Sequence, residues 1–194
     1  MIQSRFVKKF YPPILHDKAR KVGIGLIRES VLYEYRIDNK PDKLYQYYVD
    51  IVRILEKEGM EYEFFCNGYK ADADLINGIE ARLNRQFQVI IPKSIEELVS
   101  LIASYRGIIT ARMHSCIVAY AYNKPAVALG WNDKLTYWYQ TIGRPYGCIP
   151  YEQLSAELAV NSFFKLEKEK YNENLRQQLD NQYKKEVLKK VILI

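Results

Sequence analysis

Between Gly107 and Gly130 the chain reads as a buried strand, a sharp turn carrying Arg112 and His114, a helix, and a second buried strand. A strand that returns through a helix runs parallel to its predecessor, so this unit commits the chain to a helix-covered parallel sheet. Ligand groups collect at such strand-to-helix turns. Backbone N–H dipoles and the carboxyl ends of strands converge there.

The same rhythm recurs along the chain. Residues 21–27 form a short apolar run fit for a buried strand. Pro41 and Asp42 open a helix in which Leu44, Tyr48, Ile51, Val52 and Leu55 recur at helical spacing, and Gly59 ends it. Residues 61–66 are a second strand; Asp72 or Asp74 opens the next helix, with Leu75, Ile76, Ile79 and Leu83 on its apolar face. Residues 87–91 make a third strand, stopped by Pro92. Ser94 with Glu97 forms a capping box before a further helix. Residues 107–110 and 126–129 supply strands four and five. The predicted fold is α/β: a Rossmann-like parallel sheet flanked by helices on both faces. Beyond Trp131 a short helix over 133–142, a short edge strand over 146–149 and a helix over 151–163 are expected. From about Leu166 a charged helix carries Leu175, Leu179, Tyr183 and Val187, a stripe that must pack on this sheet or on a partner. The expected organisation is an arm over 1–20, broken by Pro12-Pro13, an α/β domain over 21–160, and a C-terminal amphipathic helix over 161–194.

Composition narrows the function. No apolar run approaches the roughly 20 residues that a bilayer span needs, and residues 1–10 lack a signal-peptide pattern, so a cytoplasmic location is expected. Cys66, Cys116 and Cys148 are too scattered for a disulfide framework or a paired-cysteine metal site, and the two histidines lie far apart. No metal is expected. The net charge of +6 suits an anionic ligand, but much of it lies in the terminal runs at Lys8, Lys9, Lys18, Lys184, Lys185, Lys189 and Lys190. Such runs are solvated faces, no nucleic-acid motif is visible, and nucleic acid is not an expected partner. His16, beside the proline break, reads as an arm residue.

The candidate chemistry lies at the carboxyl ends of the strands. With Thr110 as N-cap, Arg112 would sit in the turn and His114 in the first helical turn, where they can share a phosphate or carboxylate. The alternative is a core histidine bonded to a carbonyl and an arginine in a structural ion pair. Arg28 ends the first strand, so a parallel sheet puts it on the same edge as Arg112. An exposed arginine beside Glu29 is the competing reading. Lys134 follows the fifth strand and could lie near an anion, or in a plain loop where Asp133 caps the next helix. Gly23 and Gly25 lie inside a strand with no GxGxxG continuing into a helix, which excludes a dinucleotide site of that kind.

Residues 109–120, with their Arg112-Met113-His114 triplet, and residues 124–134, ending at Lys134, resemble the signature of polysaccharide pyruvyl transferases. That family carries an Arg-Leu-His or similar triplet; here the middle residue is Met113. The resemblance covers roughly residues 21–143. It implies a domain similar to the C-terminal half of a GT-B fold. It also implies transfer of a pyruvyl group from phosphoenolpyruvate to a sugar of a cell-surface polysaccharide, forming a ketal. Phosphoenolpyruvate is then the donor substrate and no cofactor is needed. Arg28 and Arg112 would grip it, with Lys134 nearby, and His114 would be the general acid. Family members are longer, so an N-terminal half that supplies most acceptor contacts is expected to be missing from this chain, with weak or no activity for the chain alone. Two rivals stand beside this reading. One is a GT-B glycosyltransferase using a nucleotide sugar, with Glu152 as its ribose carboxylate; the other is a non-catalytic relative acting as a binding domain.

Overall fold

The computed structural model describes residues 20–38, 41–68 and 70–181. Six strands form one parallel sheet: β1 (Val22–Gly25), β2 (Tyr62–Phe65), β3 (Val89–Ile90), β4 (Gly107–Thr110), β5 (Ala126–Gly130) and β6 (Cys148–Pro150), in the order β3-β2-β1-β4-β5-β6. The centre is in register, with Val22 opposite Tyr62 and Gly107, and Gly25 opposite Phe65 and Thr110. The helices are α1 (Ser30–Glu34), α2 (Asp42–Lys57), α3 (Lys70–Ala73), α4 (Ile76–Leu83), α5 (Ile95–Ser104), α6 (Met113–Ala121), α7 (Asp133–Thr141) and α8 (Ala156–Lys168). Every predicted strand is present, and β6 is the predicted edge strand. The short α1 was not foreseen, and the helix expected after Asp72 is split into α3 and α4.

Both faces of the sheet are covered. One core joins Ile24, Phe64, Ile109 and Val127 of the strands to Leu44, Ile51 and Leu55 of α2, Ile79 of α4 and Phe163 of α8. The other joins Phe65, Ile108 and Ala128 to Ile102 of α5, Cys116 and Ala119 of α6, and Tyr139 of α7. Ile51 and Leu55 are fully buried, and each such side chain contributes about 1.5–3 kcal/mol of hydrophobic free energy relative to exposure. The two glycines of β1 have a packing role. A Cβ on Gly23 would come within 2.5 Å of the Tyr105 ring, and one on Gly25 would overlap the Thr110 side chain. Their absence of side chains lets α5 and β4 close over the central strand.

Three of the helices, α2, α6 and α7, end alike. Gly59, Asn123 and Gly143 take left-handed conformations, with φ of 64°, 57° and 71°. In each case the next N–H reaches back five residues: Met60 to Leu55 at 2.8 Å, Lys124 to Ala119 at 2.9 Å, and Arg144 to Tyr139 at 2.9 Å. This termination turns the chain sharply into the following strand. It brings the strands in from one edge and leaves the N-termini of α2, α6 and α7 at the other. Ser94 caps α5, accepting from Glu97 N–H at 3.1 Å, but Glu97 reaches back to Lys93 N–H at 2.7 Å instead of to Ser94. Asn132, not Asp133, caps α7, accepting from Leu135 N–H at 3.1 Å.

Leu166 belongs to α8; the chain leaves helix over 169–172, and a new helix begins at 173. Its stripe packs on this domain: Leu179 joins the second core. Arg176, buried, lies between the rings of Tyr120 and Tyr171 at 4.3 and 4.5 Å from their centroids. Tyr183 and Val187 lie outside the described residues, as do the arm up to residue 19 and the basic terminal runs.

Burial raises the pKa of several thiols and phenols of this domain. It pushes the Cys116 thiol up to about 12 and the Cys148 thiol up to about 11. Burial, with the Glu29 carboxylate as hydrogen-bond partner, pushes the Tyr45 phenol up to about 12. Such groups stay protonated in the folded chain at pH values where the unfolded chain ionises, so their contribution is complete below about pH 9 and is lost as pH rises towards about 12. The expected outcome is a urea midpoint that falls between pH 9 and pH 11. All three cysteines are buried, so they should resist a thiol reagent at pH 8 until denaturant is added; labelling of the native protein would contradict this packing.

Candidate functional site

The strand order reverses between β1 and β4, the two central neighbours. At such a point the chain leaves one strand in one direction and its neighbour in the other, opening a crevice beyond their carboxyl ends. Arg28 follows β1 and Arg112 follows β4, so the crevice is flanked by one arginine from each side.

The Arg28 main chain and the Arg112 side chain meet at a carboxylate. Asp72, on α3, is completely inaccessible to solvent. It accepts from the Arg28 backbone N–H at 3.1 Å and from Arg112 Nε at 2.9 Å, and it pairs with Arg112 Nη2 as well. Two of the three guanidinium nitrogens of Arg112 are thus committed to one buried acid. The Arg28 guanidinium turns outward. Its Nε donates to Ser30 Oγ at 3.0 Å and its Nη2 to Glu34 Oε2 at 2.9 Å. The Glu34 carboxylate in turn holds the Arg28 guanidinium above its ordinary range, and Arg28 and Ser30 hold Glu34 below the usual carboxylate range.

Arg112 is the N-cap of α6, and no side chain caps that helix. Thr110, predicted as N-cap, is instead the last residue of β4; its hydroxyl accepts from Arg112 N–H at 3.2 Å and shapes the turn. His114 lies in the first turn of α6 and is exposed. Residues two apart near a helix start point to different sides; Arg112 turns back towards α3, whereas His114 faces solvent. Lys134 lies exposed in the first turn of α7. Among the described residues, no hydrogen bond or ion pair joins His114 or Lys134 to Arg28, Arg112 or Asp72. The structure therefore brings together two of the four predicted residues and leaves the other two along the same edge. Glu152 is exposed on the turn after β6, where its backbone carbonyl accepts from Lys43 Nζ at 3.2 Å.

Two groups at this edge escape a reading of spacing alone. Asp72 was expected to open a helix. In the sequence it stands three, four and seven residues before Leu75, Ile76 and Ile79, on the apolar side of the expected helix, and a carboxylate there requires a cation even though the structure splits that helix. Asn67, at the end of β2, accepts from Ser115 Oγ at 2.6 Å and so ties that strand to α6. A cleft of about 270 Å³ opens beside Arg28, lined by Glu29, Ser30, Tyr45, Asp74 and Leu75. Among the described residues no group of histidine, cysteine and carboxylate side chains could hold a metal ion, and no helix is long and apolar enough to cross a membrane.

The model of the polysaccharide pyruvyl transferase family matches residues 10–133, more than half of the chain and including Arg28, Arg112 and His114. The chain belongs to that family. Lys134 lies one residue beyond the match. No curated protein matches the chain. Among solved structures it is similar to the UDP-GlcNAc 2-epimerase of Methanocaldococcus jannaschii, at 12% identity and a TM-score of 0.56, over 86% of this chain and 44% of that one. It is also similar to the ADP-heptose LPS heptosyltransferase II of E. coli, at 18% identity and a TM-score of 0.52, over 84% of this chain and 50% of that one. At these identities the likeness is one of fold: a Rossmann-like sheet of the GT-B type. The chain spans about half the length of the structures it matches.

Asp72 can be tested directly. Asp72→Asn keeps the shape but leaves the Arg112 guanidinium facing a neutral amide, and breaking a buried pair from one side costs about 3–5 kcal/mol. Chemical denaturation should show a loss of that order. Glu34→Gln, at the surface, should leave the midpoint unchanged.

Proposed function

We propose that the crevice between β1 and β4 binds phosphoenolpyruvate, and that the protein transfers its pyruvyl group to a sugar of a polysaccharide. The observation that supports this most strongly is the convergence of Arg28 and Arg112 on Asp72 at the reversal of strand order, in a chain of the pyruvyl transferase family. Phosphoenolpyruvate carries a phosphate and a carboxylate, and two guanidinium groups beside a helix N-terminus without a side-chain cap suit those two anions. Glu34 occupies the outward edge of Arg28. A ligand carboxylate or phosphate would take its place, whereas Asp72 remains as the fixed support of Arg112.

The chemistry follows from the donor. A proton delivered to the enol methylene turns it into a methyl group and leaves an oxocarbenium-like centre on the adjacent carbon. One sugar hydroxyl adds there and gives up its proton; the carbon–oxygen bond to phosphate then breaks, and a second hydroxyl closes the ketal. His114, on the same edge as Arg112, is the proposed acid. It is exposed, and a second lobe closing over this edge would shield it and supply further acceptor contacts. Lys134 is proposed as an outer cation for the departing phosphate. A cytoplasmic location fits a reaction that draws on phosphoenolpyruvate.

Titration calorimetry with phosphoenolpyruvate and with nucleoside diphosphates tests the donor. Binding of phosphoenolpyruvate alone is expected; preference for a nucleoside diphosphate would transfer the site to the glycosyltransferase reading. Arg112 is a poor first target, because its loss would orphan Asp72. Arg28→Ala should instead weaken phosphoenolpyruvate by about tenfold or more, and Glu34→Gln should tighten it by removing the competing carboxylate. In an active assembly, His114→Ala should abolish turnover and leave donor affinity intact; retained turnover would remove His114 as the acid.

A further inference from the structure

Two aromatic rings stand at the crevice beside the arginine pair. Tyr35, at the end of α1, is 59% exposed. Its ring centroid lies 4.8 Å from that of Trp131, with 74° between the ring planes. Trp131 follows β5 and is half-buried, and its Nε1–H donates to the Ala111 carbonyl at 2.8 Å, which fixes the indole in place. Both rings reach the arginines through immediate chain neighbours. Ala111 precedes Arg112, and Tyr35 follows Glu34, the carboxylate bonded to Arg28. One ring comes from the β1 side of the strand reversal and the other from the β5 side.

The ring faces dictate what can lie on them. An aromatic face is electron-rich and repels a phosphate or carboxylate, so the rings do not serve the anionic donor. A pyranose suits them: its C–H groups carry partial positive charge and form an apolar face, while its hydroxyls project around the rim. Glu34, the chain neighbour of Tyr35, brings an exposed carboxylate to that edge. Position makes the same choice. Attack on the donor carbon requires a hydroxyl oxygen close to the two arginines, so the ring bearing it must rest beside them, where Tyr35 and Trp131 stand.

We infer that the exposed Tyr35 ring, braced at a steep angle by Trp131, forms a stacking seat for a pyranose ring of the acceptor, so that this half of the enzyme carries an acceptor subsite in addition to the donor seat. The inference rests on the proposed pyruvyl transfer for its placement, but it has its own readout. Saturation-transfer-difference NMR on the full chain would use methyl β-galactopyranoside and methyl β-glucopyranoside, with sorbitol as a polyol lacking a ring face and adenosine as a flat heterocycle. Transfer to the C–H protons of one pyranoside face is expected, with none to sorbitol. Tyr35→Ala, at an exposed position where folding is not at stake, should weaken the interaction by about tenfold or more, and Tyr35→Phe should retain it. Trp131 reports independently: the only other tryptophan, Trp138, is 3% exposed, so pyranoside should alter Trp131 emission.

No transfer to either pyranoside, equal binding by Tyr35→Ala, or transfer to adenosine in their place would overturn the seat. Calorimetry with phosphoenolpyruvate in the same samples separates the two readings. Donor heat without pyranoside contact removes the seat alone, and pyranoside contact without donor heat keeps the seat and removes the donor.

Discussion

A carboxylate sealed from water must be satisfied by its neighbours, and Asp72 draws the rest of this site around it. It takes hydrogen bonds from a backbone N–H beyond β1 and from the guanidinium beyond β4. Its position on α3, after β2, links three of the central strand ends. Without it, Arg112 would be a flexible cation on a turn; with it, the side chain is held in one orientation before any ligand arrives. Preorganisation of this kind lowers the cost of binding, because the ordering has been done during folding. The same bond neutralises much of the Arg112 charge, so the net attraction for an anion depends on Arg28 and on the helix end.

That division explains the asymmetry between the two arginines. Arg112 is supported from within by a fixed acid, and Arg28 is held from outside by Glu34, which is solvent-facing and able to move. Formally, Arg28 and Arg112 are balanced by Glu34 and Asp72, and Glu29 and Asp74 also line the cleft beside Arg28. Displacing Glu34 uncovers one positive charge, whereas displacing Asp72 would strand a carboxylate in the core. The two contacts therefore differ in function although both are ion pairs: one is architecture, the other a place-holder.

Much of this was legible in the sequence, because the signals were local and repeated. Apolar runs of four to six residues between amphipathic stretches specify buried parallel strands, and Gly59 and Gly143 mark where helices stop. Placing Arg28 and Arg112 on one edge required only that the strands be parallel. The less legible parts depend on contacts distant in sequence. Asp72 lies 44 residues from Arg28 and 40 from Arg112, and neither separation follows any periodicity. Thr110 and Asp133 were misread as caps because the residue types were right, but the chain turned one or two positions away: Arg112 and Asn132 hold the cap positions. His114 and Lys134 lie on the expected edge, but their directions depend on how α6 and α7 roll against the sheet, which the sequence does not specify.

The site joins two kinds of surface that chemistry would otherwise keep apart. Anion binding needs cations and free N–H groups, which are well hydrated, whereas sugar stacking needs bare aromatic faces. The groups proposed for the two come from different elements: the cations from the turns after β1 and β4, the indole from the turn after β5, and the phenol from the end of α1. Trp131 makes the joint itself, because its Nε1–H bonds the carbonyl immediately before Arg112. Any shift of the indole is thereby transmitted to the turn that carries the arginine. The proposed transfer brings together two substrates of different polarity, and the Ala111–Arg112 turn links the seats proposed for them.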